Sequence, residues 1–251
     1  MTNQPKTEWI DFGFETVPVN EKQSRVADVF SSVASSYDIM NDLMSGGVHR
    51  LWKDALMDWL APSKGQVLID LAGGTGDIAL RFLKRGGSHV HIVDINPDMI
   101  SAGKKRHDIK AYSNQLDWTL ASVEEIPLRT GTAERVTISF GLRNVTNRDI
   151  ALREAFRVLK PGGRFCCLEF STVQSATFSK LYDLWSFNAL PRLGRMVARD
   201  EAAYRYLAES IRTFPAQHDL ARIMSEAGFA QVRFRNLSNG IAAIHSGWKL
   251  D

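Results

Sequence analysis

The chain is poor in cysteine. Its 251 residues include two cysteines, Cys166 and Cys167, which are adjacent. Neighbouring residues of a strand point to opposite faces, so a disulfide between these two would be strained. We therefore expect two small buried thiols, and the sequence indicates neither a disulfide framework nor a zinc site.

Long apolar runs are also missing from the sequence. No stretch approaches the roughly 18 apolar residues that a membrane-spanning helix requires. The first fifteen residues carry Lys6, Glu8 and Asp11 without the apolar core of a secretory signal or the arginine content of a transit peptide. We therefore expect a cytoplasmic protein. The net charge of +3 is too small to indicate nucleic-acid binding.

The middle of the chain alternates between short apolar runs and amphipathic helical segments. Five of the runs predict strands, over 66–71, 89–95, 116–122, 135–140 and 164–170. This alternation is typical of a parallel sheet with helices on both faces. Two more strands, 231–237 and 241–248, flank Asn239-Gly240, a hairpin signal. The sequence thus predicts an α/β fold whose sheet ends in an antiparallel hairpin.

Helical patterns lie on both sides of this alternation. Residues 20–60 predict an N-terminal helical cap, in which a helix over 50–60 directs Leu51 and Trp52 inward. Residues 175–214 predict a helical insertion before the last helix and the hairpin. We expect residues 1–251 to form a single domain.

A glycine-rich loop follows the first strand of the predicted sheet, in the segment Asp70-Leu71-Ala72-Gly73-Gly74-Thr75-Gly76-Asp77. Glycines at a strand-to-helix turn let the backbone approach a ligand closely. The next strand ends at Asp94, 18 residues after Gly76, where a carboxylate can accept hydrogen bonds from ribose hydroxyls. Loop and acid together predict an adenosyl cofactor.

Two adenosyl cofactors fit these residues. A dinucleotide such as NAD places its pyrophosphate at the N-terminus of the following helix, where Asp77 would repel it. S-adenosylmethionine has no phosphate, and its ammonium group suits Asp70. We therefore favour S-adenosylmethionine, and an NAD-dependent reductase stays open as the alternative.

The glycine loop and its acid resemble class I methyltransferases. Three further stretches resemble one branch, the ubiquinone/menaquinone biosynthesis C-methyltransferases of the UbiE type. They are Tyr37-Asp38-Ile39-Met40-Asn41 with His49 and Trp52, Ser139-Phe140-Gly141-Leu142-Arg143-Asn144-Val145, and Arg157-Val158-Leu159-Lys160-Pro161-Gly162-Gly163 with Glu169 and Ser171. The resemblance extends from about Phe12 to Lys249 and implies a class I Rossmann-like fold with a seven-stranded, mostly parallel sheet.

The loop and the resemblance together predict the cofactor contacts. The residues are Asp70, Gly74, Thr75, Gly76, Asp94, Ile95, Ser122, Val123 and Ser139. Ser122 departs from the family pattern, which often has Asn or Asp there, although serine still offers a hydrogen bond to adenine.

The resemblance implies C-methylation of a polyprenylated quinol, either 2-methoxy-6-polyprenyl-1,4-benzoquinol, demethylmenaquinol or both. Methyl transfer from a sulfonium needs no metal, and we expect none. The reduced quinol is the expected substrate, because loss of a phenolic proton makes the ring carbon nucleophilic. Candidate substrate-side residues are Tyr37, Asp38, Asn41, His49, Arg143 and Asn144.

Each of these candidates has a structural alternative. Arg143 stays protonated, so it would stabilise a phenolate or orient a water, or else form a structural ion pair. His49 would be a base or a packing residue, and Asp38 a helix cap. The aromatic residues of 175–214 would cover a prenyl tail or fill an ordinary core.

The implied substrate also predicts the partners. We expect peripheral contact with lipid at the inner face of the cytoplasmic membrane, or with a quinone-biosynthesis complex. Two alternatives stay open: methylation of another phenolic or lipid molecule, and a non-catalytic protein that binds S-adenosylmethionine and organises such a complex.

Overall fold

The computed structural model describes residues 8–33, 42, 45–173 and 201–251. Its strands are β1 (Trp9–Phe12), β2 (Glu15–Pro18), β3 (Val67–Leu71), β4 (His89–Asp94), β5 (Leu116–Leu120), β6 (Ala133–Ser139), β7 (Leu159–Phe170), β8 (Ala230–Leu237) and β9 (Ala242–Trp248). Its helices are α1 (Val19–Val33), α2 (His49–Leu60), α3 (Asp77–Lys84), α4 (Pro97–Lys105), α5 (His107–Lys110), α6 (Arg148–Val158), α7 (Glu201–Arg212) and α8 (Gln217–Glu226).

Seven strands form one mixed sheet in the order β5-β4-β3-β6-β7-β9-β8. The first five are mutually parallel, and β9 runs antiparallel between β7 and β8. This confirms the predicted parallel sheet with a C-terminal antiparallel hairpin. At the hairpin turn Asn239 adopts a φ of 57°, a left-handed conformation that asparagine tolerates well.

Alternation along the strands divides the core into two layers. Leu68 belongs to the layer that packs against α2, α3 and α7, whereas its neighbour Ile69 belongs to the layer under α6 and α8. Cys166 and Cys167 are likewise split between the two layers and are free thiols, as the sequence predicted. Parallel strands between helical layers bring their carboxyl ends to one edge.

One prediction for α2 is wrong. Trp52 is buried, but Leu51 is 68% exposed. The buried face of α2 follows Trp52, Leu56 and Leu60 at intervals of four residues. Leu51 precedes Trp52 by one residue, and one step turns a helix by about 100°, which removes Leu51 from that face.

The N-terminal residues form a hairpin that the sequence did not predict. β1 and β2 pair antiparallel around a turn at Gly13, whose φ is 63°. Each strand has only four residues, and half of the eight are exposed. Neither sequence alternates between apolar and polar residues, which is the pattern that predicts a strand. The hairpin leads directly into α1, the first helix of the predicted cap.

Most of the predicted helical insertion over 175–214 lies outside the described residues, as does the stretch that contains Tyr37, Asp38 and Asn41. From 201 onward the insertion is helical in α7. None of the helices in the described ranges has the length and apolarity needed to cross a membrane. The single-domain organisation stays a prediction.

Candidate active site

Two adjoining cavities lie at the carboxyl ends of β3, β4 and β6. The first is lined by six residues predicted from the sequence: Gly74, Asp94, Ile95, Ser122, Val123 and Asn144. The second is lined by Asp70, Gly74, Thr75 and Ser139 of the predicted set, together with Lys53 and Asp77. Both cavities include Gly74, and all the predicted cofactor residues except Gly76 line one cavity or the other.

The glycine loop is held in a backbone conformation that favours glycine. Gly74 and Gly76 have φ values of 54° and 79°. A Cβ on Gly74 would lie 2.9 Å from the Met99 side chain, and one on Gly76 would lie 2.9 Å from Ile109. Gly76 lines neither cavity; it forms the tight turn that begins α3. Its predicted contact with the cofactor therefore stays a prediction.

Asp94 ends β4 with its carboxylate fixed by the backbone. Its Oδ2 accepts a hydrogen bond from the N–H of Gly74 at 2.8 Å, and its Oδ1 accepts one from the N–H of Asn96 at 2.8 Å. Burial raises the pKa of Asp94, and these backbone donors oppose the rise. Each carboxylate oxygen can accept more than one hydrogen bond, so Asp94 retains acceptor capacity toward the first cavity.

Asp70, at the end of β3, is a buried acid with an open oxygen. Its Oδ1 accepts a hydrogen bond from the Thr137 hydroxyl at 2.9 Å, while its Oδ2 has no partner among the described residues. Burial, with the nearby charges of Asp77 and Asp94, raises the pKa of Asp70 to about 7. The buried hydroxyl of Ser139 also lacks a partner in the part of the chain that the structure describes. A buried polar atom without a partner is costly, which points to a cationic or hydrogen-bonding ligand in the second cavity.

Asp77 forms a partly buried ion pair that the sequence did not predict. The Lys53 ammonium lies 2.8 Å from Asp77 Oδ2. Burial alone would raise the pKa of Asp77, but Lys53 and then Arg81 lower it to about 2. Since Lys53 compensates the charge of Asp77, repulsion of a phosphate by Asp77 is a weaker argument than the sequence suggested.

Helix α1 lies over the first cavity. Gln23, Val26, Ala27 and Phe30 line it from that side. The Asn96 side chain donates to the carbonyl of Ala27 and to the hydroxyl of Ser31, both at 3.1 Å. Its oxygen caps the N-terminus of α4 by accepting from the backbone N–H groups of Asp98 and Met99. The Asn96 side chain thus connects α1 to the N-terminus of α4, two residues after Asp94.

Arg143 lies beneath the site in a buried ion pair. Its Nη1 is 2.8 Å from Glu169 Oε1 and also donates to the carbonyl of Phe140 at 2.7 Å. Both charged side chains are 1% exposed. Burial raises the pKa of Glu169, and Arg143 opposes that rise. Arg143 is not among the residues that line the two cavities, so its position fits the structural ion pair better than direct contact with substrate.

Asn144 and His49 differ in their access to the site. Asn144 lines the first cavity, and its Oδ1 accepts a hydrogen bond from the Tyr206 hydroxyl at 3.1 Å. His49 is buried, with Nε2 2.9 Å from Asp42 Oδ1. Burial lowers the pKa of His49, although Asp42 opposes this. The structure therefore brings Asn144 to the cavity and buries His49 at the first position of α2, outside the lining of the two cavities.

Sequence reasoning missed three residues that shape the site, namely Lys53, Asn96 and Glu124. Glu124 Oε1 accepts from the N–H groups of Thr146 and Asn147 at 3.0 and 3.1 Å and fixes the loop after Asn144. Asn96 was detectable, because an asparagine directly before Pro97 is a helix-cap signal. Lys53 and Glu124 gave no local signal, because their partners are distant in sequence.

The residues present fit S-adenosylmethionine. Asp94 offers acceptors for ribose hydroxyls, and Asp70 offers an unpartnered oxygen for an ammonium group. Ile95, Met99 and Val123 give the first cavity an apolar wall suited to a purine ring. Among the described residues, the charged side chains that line the first cavity are the acids Asp94 and Glu124, which do not repel a sulfonium.

Comparisons with known proteins agree with this geometry. Residues 18–249 match the model of the ubiE/COQ5 methyltransferase family. The chain is 55% identical over 240 residues to the ubiquinone/menaquinone biosynthesis C-methyltransferase UbiE of Roseobacter denitrificans, covering 95% of this chain and 96% of that protein. It is also 55% identical over 244 residues to the enzyme of the same name from Acidiphilium cryptum, covering 97% and 98%.

A solved structure supports the fold independently. The chain is similar to a SAM-dependent methyltransferase of Thermotoga maritima, with a TM-score of 0.63 and 16% identity. The match covers 89% of this chain and 99% of that one. At this identity the likeness shows the class I methyltransferase fold alone.

Proposed function

The chain belongs to the ubiE/COQ5 methyltransferase family, and from this membership we infer that it is an S-adenosylmethionine-dependent C-methyltransferase of ubiquinone and menaquinone biosynthesis. The observation that carries this inference is 55% identity across 95% of the chain to a curated enzyme of that activity. The substrate is a polyprenylated quinol, either 2-methoxy-6-polyprenyl-1,4-benzoquinol, demethylmenaquinol or both.

We propose separate roles for the two acids of the cofactor site. Asp94 binds the ribose hydroxyls, because its carboxylate is fixed by the N–H groups of Gly74 and Asn96 and faces the first cavity. Asp70 binds the ammonium group, because its Oδ2 is buried and unpartnered. Ile95 and Val123 contact the adenine, with Ser122 at its edge, and Thr75 and Ser139 contact the amino-acid part. When bound, S-adenosylmethionine supplies an electrophilic methyl group.

On the substrate side, Asn144 is the proposed contact residue. Its side chain lines the first cavity and is oriented by the Tyr206 hydroxyl. Arg143 precedes it and is held by Glu169, so we propose that Arg143 fixes the position of this turn. His49 begins α2, and we propose that its contact with Asp42 fixes this end of the helix. The catalytic roles of Tyr37 and Asp38 stay predictions, because both lie outside the described residues.

A wider cavity suits the prenyl tail. It measures about 510 Å³ and lies between the N-terminal hairpin and α7. Its apolar wall consists of Phe12, Phe14, Ala202 and Tyr206, and its polar side consists of Glu15, Arg205 and Glu209. Tyr206 connects it to the first cavity, because its hydroxyl reaches Asn144 and its ring stacks on Phe12 at 4.2 Å. An isoprenoid chain gains about 25 cal/mol for each Å² that it buries against such a surface.

The same hairpin is the proposed point of contact with membrane lipid. Trp9 and Phe14 are 63% and 62% exposed. Exposed aromatic side chains partition into the bilayer interface, where a prenyl quinol is also found. We expect peripheral binding, with the prenyl cavity opening toward the lipid.

Calorimetric titration with S-adenosylhomocysteine tests the cofactor site. We expect the wild type to bind and Asp94→Ala to lose at least about tenfold in affinity, since it removes charge-assisted hydrogen bonds. Asp219→Ala, at an exposed acid in the first turn of α8, is the matched control and should bind normally. Absence of binding to the wild type would contradict the cofactor assignment.

Turnover of demethylated prenyl quinols tests the reaction. We expect methylation of the reduced ring and none of the oxidised quinone under non-reducing conditions. Equal turnover of both redox forms would contradict the proposed activation of the ring carbon.

Flotation with anionic vesicles tests the membrane contact. Trp9→Ala/Phe14→Ala should reduce the bound fraction severalfold, while Leu250→Ala, at an exposed leucine near the other terminus, should not. Equal loss in both variants would argue against a specific role for the hairpin.

A further inference from the structure

Two histidines and an aspartate meet on the open face of the sheet, away from the cofactor site. His89 and His91 are two residues apart in β4 and therefore point to the same face. Asp117 of β5 is the register partner of His91. Asp117 Oδ2 lies 2.8 Å from His89 Nε2 and 3.2 Å from His91 Nδ1.

We propose that His89, His91 and Asp117 form a binding site for a divalent transition-metal ion of the zinc type. One ligand atom from each residue lies within 4.8 Å of the other two. Around a tetrahedral zinc ion, nitrogen and oxygen ligands stand about 3.3 Å apart, so small side-chain rotations suffice to close the site. Two imidazoles and one carboxylate suit zinc, nickel or copper, whereas magnesium and calcium prefer oxygen ligands alone.

The backbone holds these ligands in place without the metal. Val90 and Leu116, the intervening register pair, are buried on the opposite face and anchor the two strands in the core. The histidine rings are already close, with centroids 5.0 Å apart. A site built on paired strands needs little reorganisation to bind an ion, which favours affinity.

The site is open to solvent and separate from the cavities. β5 is the edge strand, and the Asp117 side chain is 58% exposed. The described helices that pack on this face, α6 and α8, do so against β7, β8 and β9, toward the other end of the sheet. His91 and Asp94 are three residues apart on β4, a separation of about 10 Å. Metal binding at His91 therefore leaves the carboxyl edge accessible.

The test uses the full-length protein without a histidine tag, stripped of metal by a chelator. Zn²⁺ is titrated in competition with a chromophoric chelator, and Cu²⁺ binding is followed by the nitrogen hyperfine lines in its EPR spectrum. We expect one equivalent of Zn²⁺ to bind. His91→Ala and Asp117→Asn should each weaken that binding at least about tenfold, since even loss of a group that only supports a ligand costs that much.

Two controls make the result decisive. His107→Ala removes an exposed histidine from α5 and should leave Zn²⁺ affinity unchanged. All variants should bind S-adenosylhomocysteine as the wild type does, which shows that they are folded. The proposal is overturned by the absence of a Zn²⁺ equivalent, or by a His107→Ala loss equal to that of His91→Ala. Asp117 then serves only as the hydrogen-bond partner of the two histidines.

Discussion

Buried charged side chains have different partners in the two halves of the carboxyl edge of the sheet. At β3 and β4, Asp70 has one carboxylate oxygen without a partner among the described residues, and Asp94 accepts hydrogen bonds from the backbone N–H groups of Gly74 and Asn96. At β6 and β7, Arg143 and Glu169 neutralise each other, each 1% exposed. We propose that a ligand completes the first half, whereas the ion pair of the second half is complete within the protein. Binding and positioning are thus separated along one edge.

The largest effect is expected from breaking the Arg143–Glu169 ion pair of the second half. Glu169→Ala leaves the Arg143 guanidinium buried and unpaired, and arginine cannot lose its proton to relieve the cost. Breaking a buried ion pair in this way costs about 3–5 kcal/mol. We therefore expect the free energy of unfolding, measured with urea, to fall by that amount. Arg143→Met should cost less, because Glu169 can take up a proton.

The double variant Arg143→Met/Glu169→Leu tests whether the pair is only structural. It should recover most of the stability, since apolar replacement of both charges is often neutral. Methyl transfer that stays lost in this stable variant would show that the Arg143 charge acts on the reaction. Methyl transfer that returns would restrict Arg143 to packing.

A smaller effect is expected from removing the charge of Asp70 in the first half. In the folded protein the pKa of Asp70 is about 7, whereas its ordinary value is 3.8. Between these two pH values the folded protein keeps a proton on Asp70 that the unfolded chain has released. Asp70 therefore lowers stability as pH rises from about 4 to 7. Asp70→Asn should stabilise the ligand-free protein at pH 8 by about 1–3 kcal/mol, measured by urea unfolding, and change little at pH 4.

The same variant should bind the cofactor product less well. An ionised Asp70 attracts an ammonium group, so the wild-type affinity for S-adenosylhomocysteine should rise between pH 6 and pH 8. Asp70→Asn should lower the affinity about tenfold at pH 8 and flatten this dependence, as measured by calorimetry. An unchanged pH profile in the variant would assign the dependence to another group.

The first half, at β3 and β4, was largely predictable from sequence, and the reason is geometric. Asp70, Gly74 and Asp94 lie within one β-loop-α-β unit, where spacing along the chain fixes position in space. The seven-stranded sheet and its final hairpin followed from apolar alternation and from Asn239-Gly240. Those signals are local, so they survive without knowledge of the tertiary packing.

The remaining features depend on contacts between distant residues. Lys53 meets Asp77 from 24 positions away, and Asn96 reaches Ala27 across 69. The helical pattern over 20–60 predicted a cap, and the structure places Val26 and Phe30 of α1 over the first cavity. Periodicity reports that a side chain leaves solvent, but not whether protein or ligand covers it.

The smallest effect is expected from Asn96, which both caps α4 and holds α1 over the first cavity. Asn96 and Asn147 cap α4 and α6 in the same way, each through a side-chain oxygen that accepts backbone N–H groups. Loss of such a cap costs about 1 kcal/mol, so Asn96→Ala and Asn147→Ala should lower the melting temperature by a few degrees each. Asn96 alone also holds α1, through Ala27 and Ser31. Stopped-flow fluorescence should therefore show faster release of S-adenosylhomocysteine from Asn96→Ala than from Asn147→Ala. Equal release rates would mean that α1 stays over the first cavity without this tie.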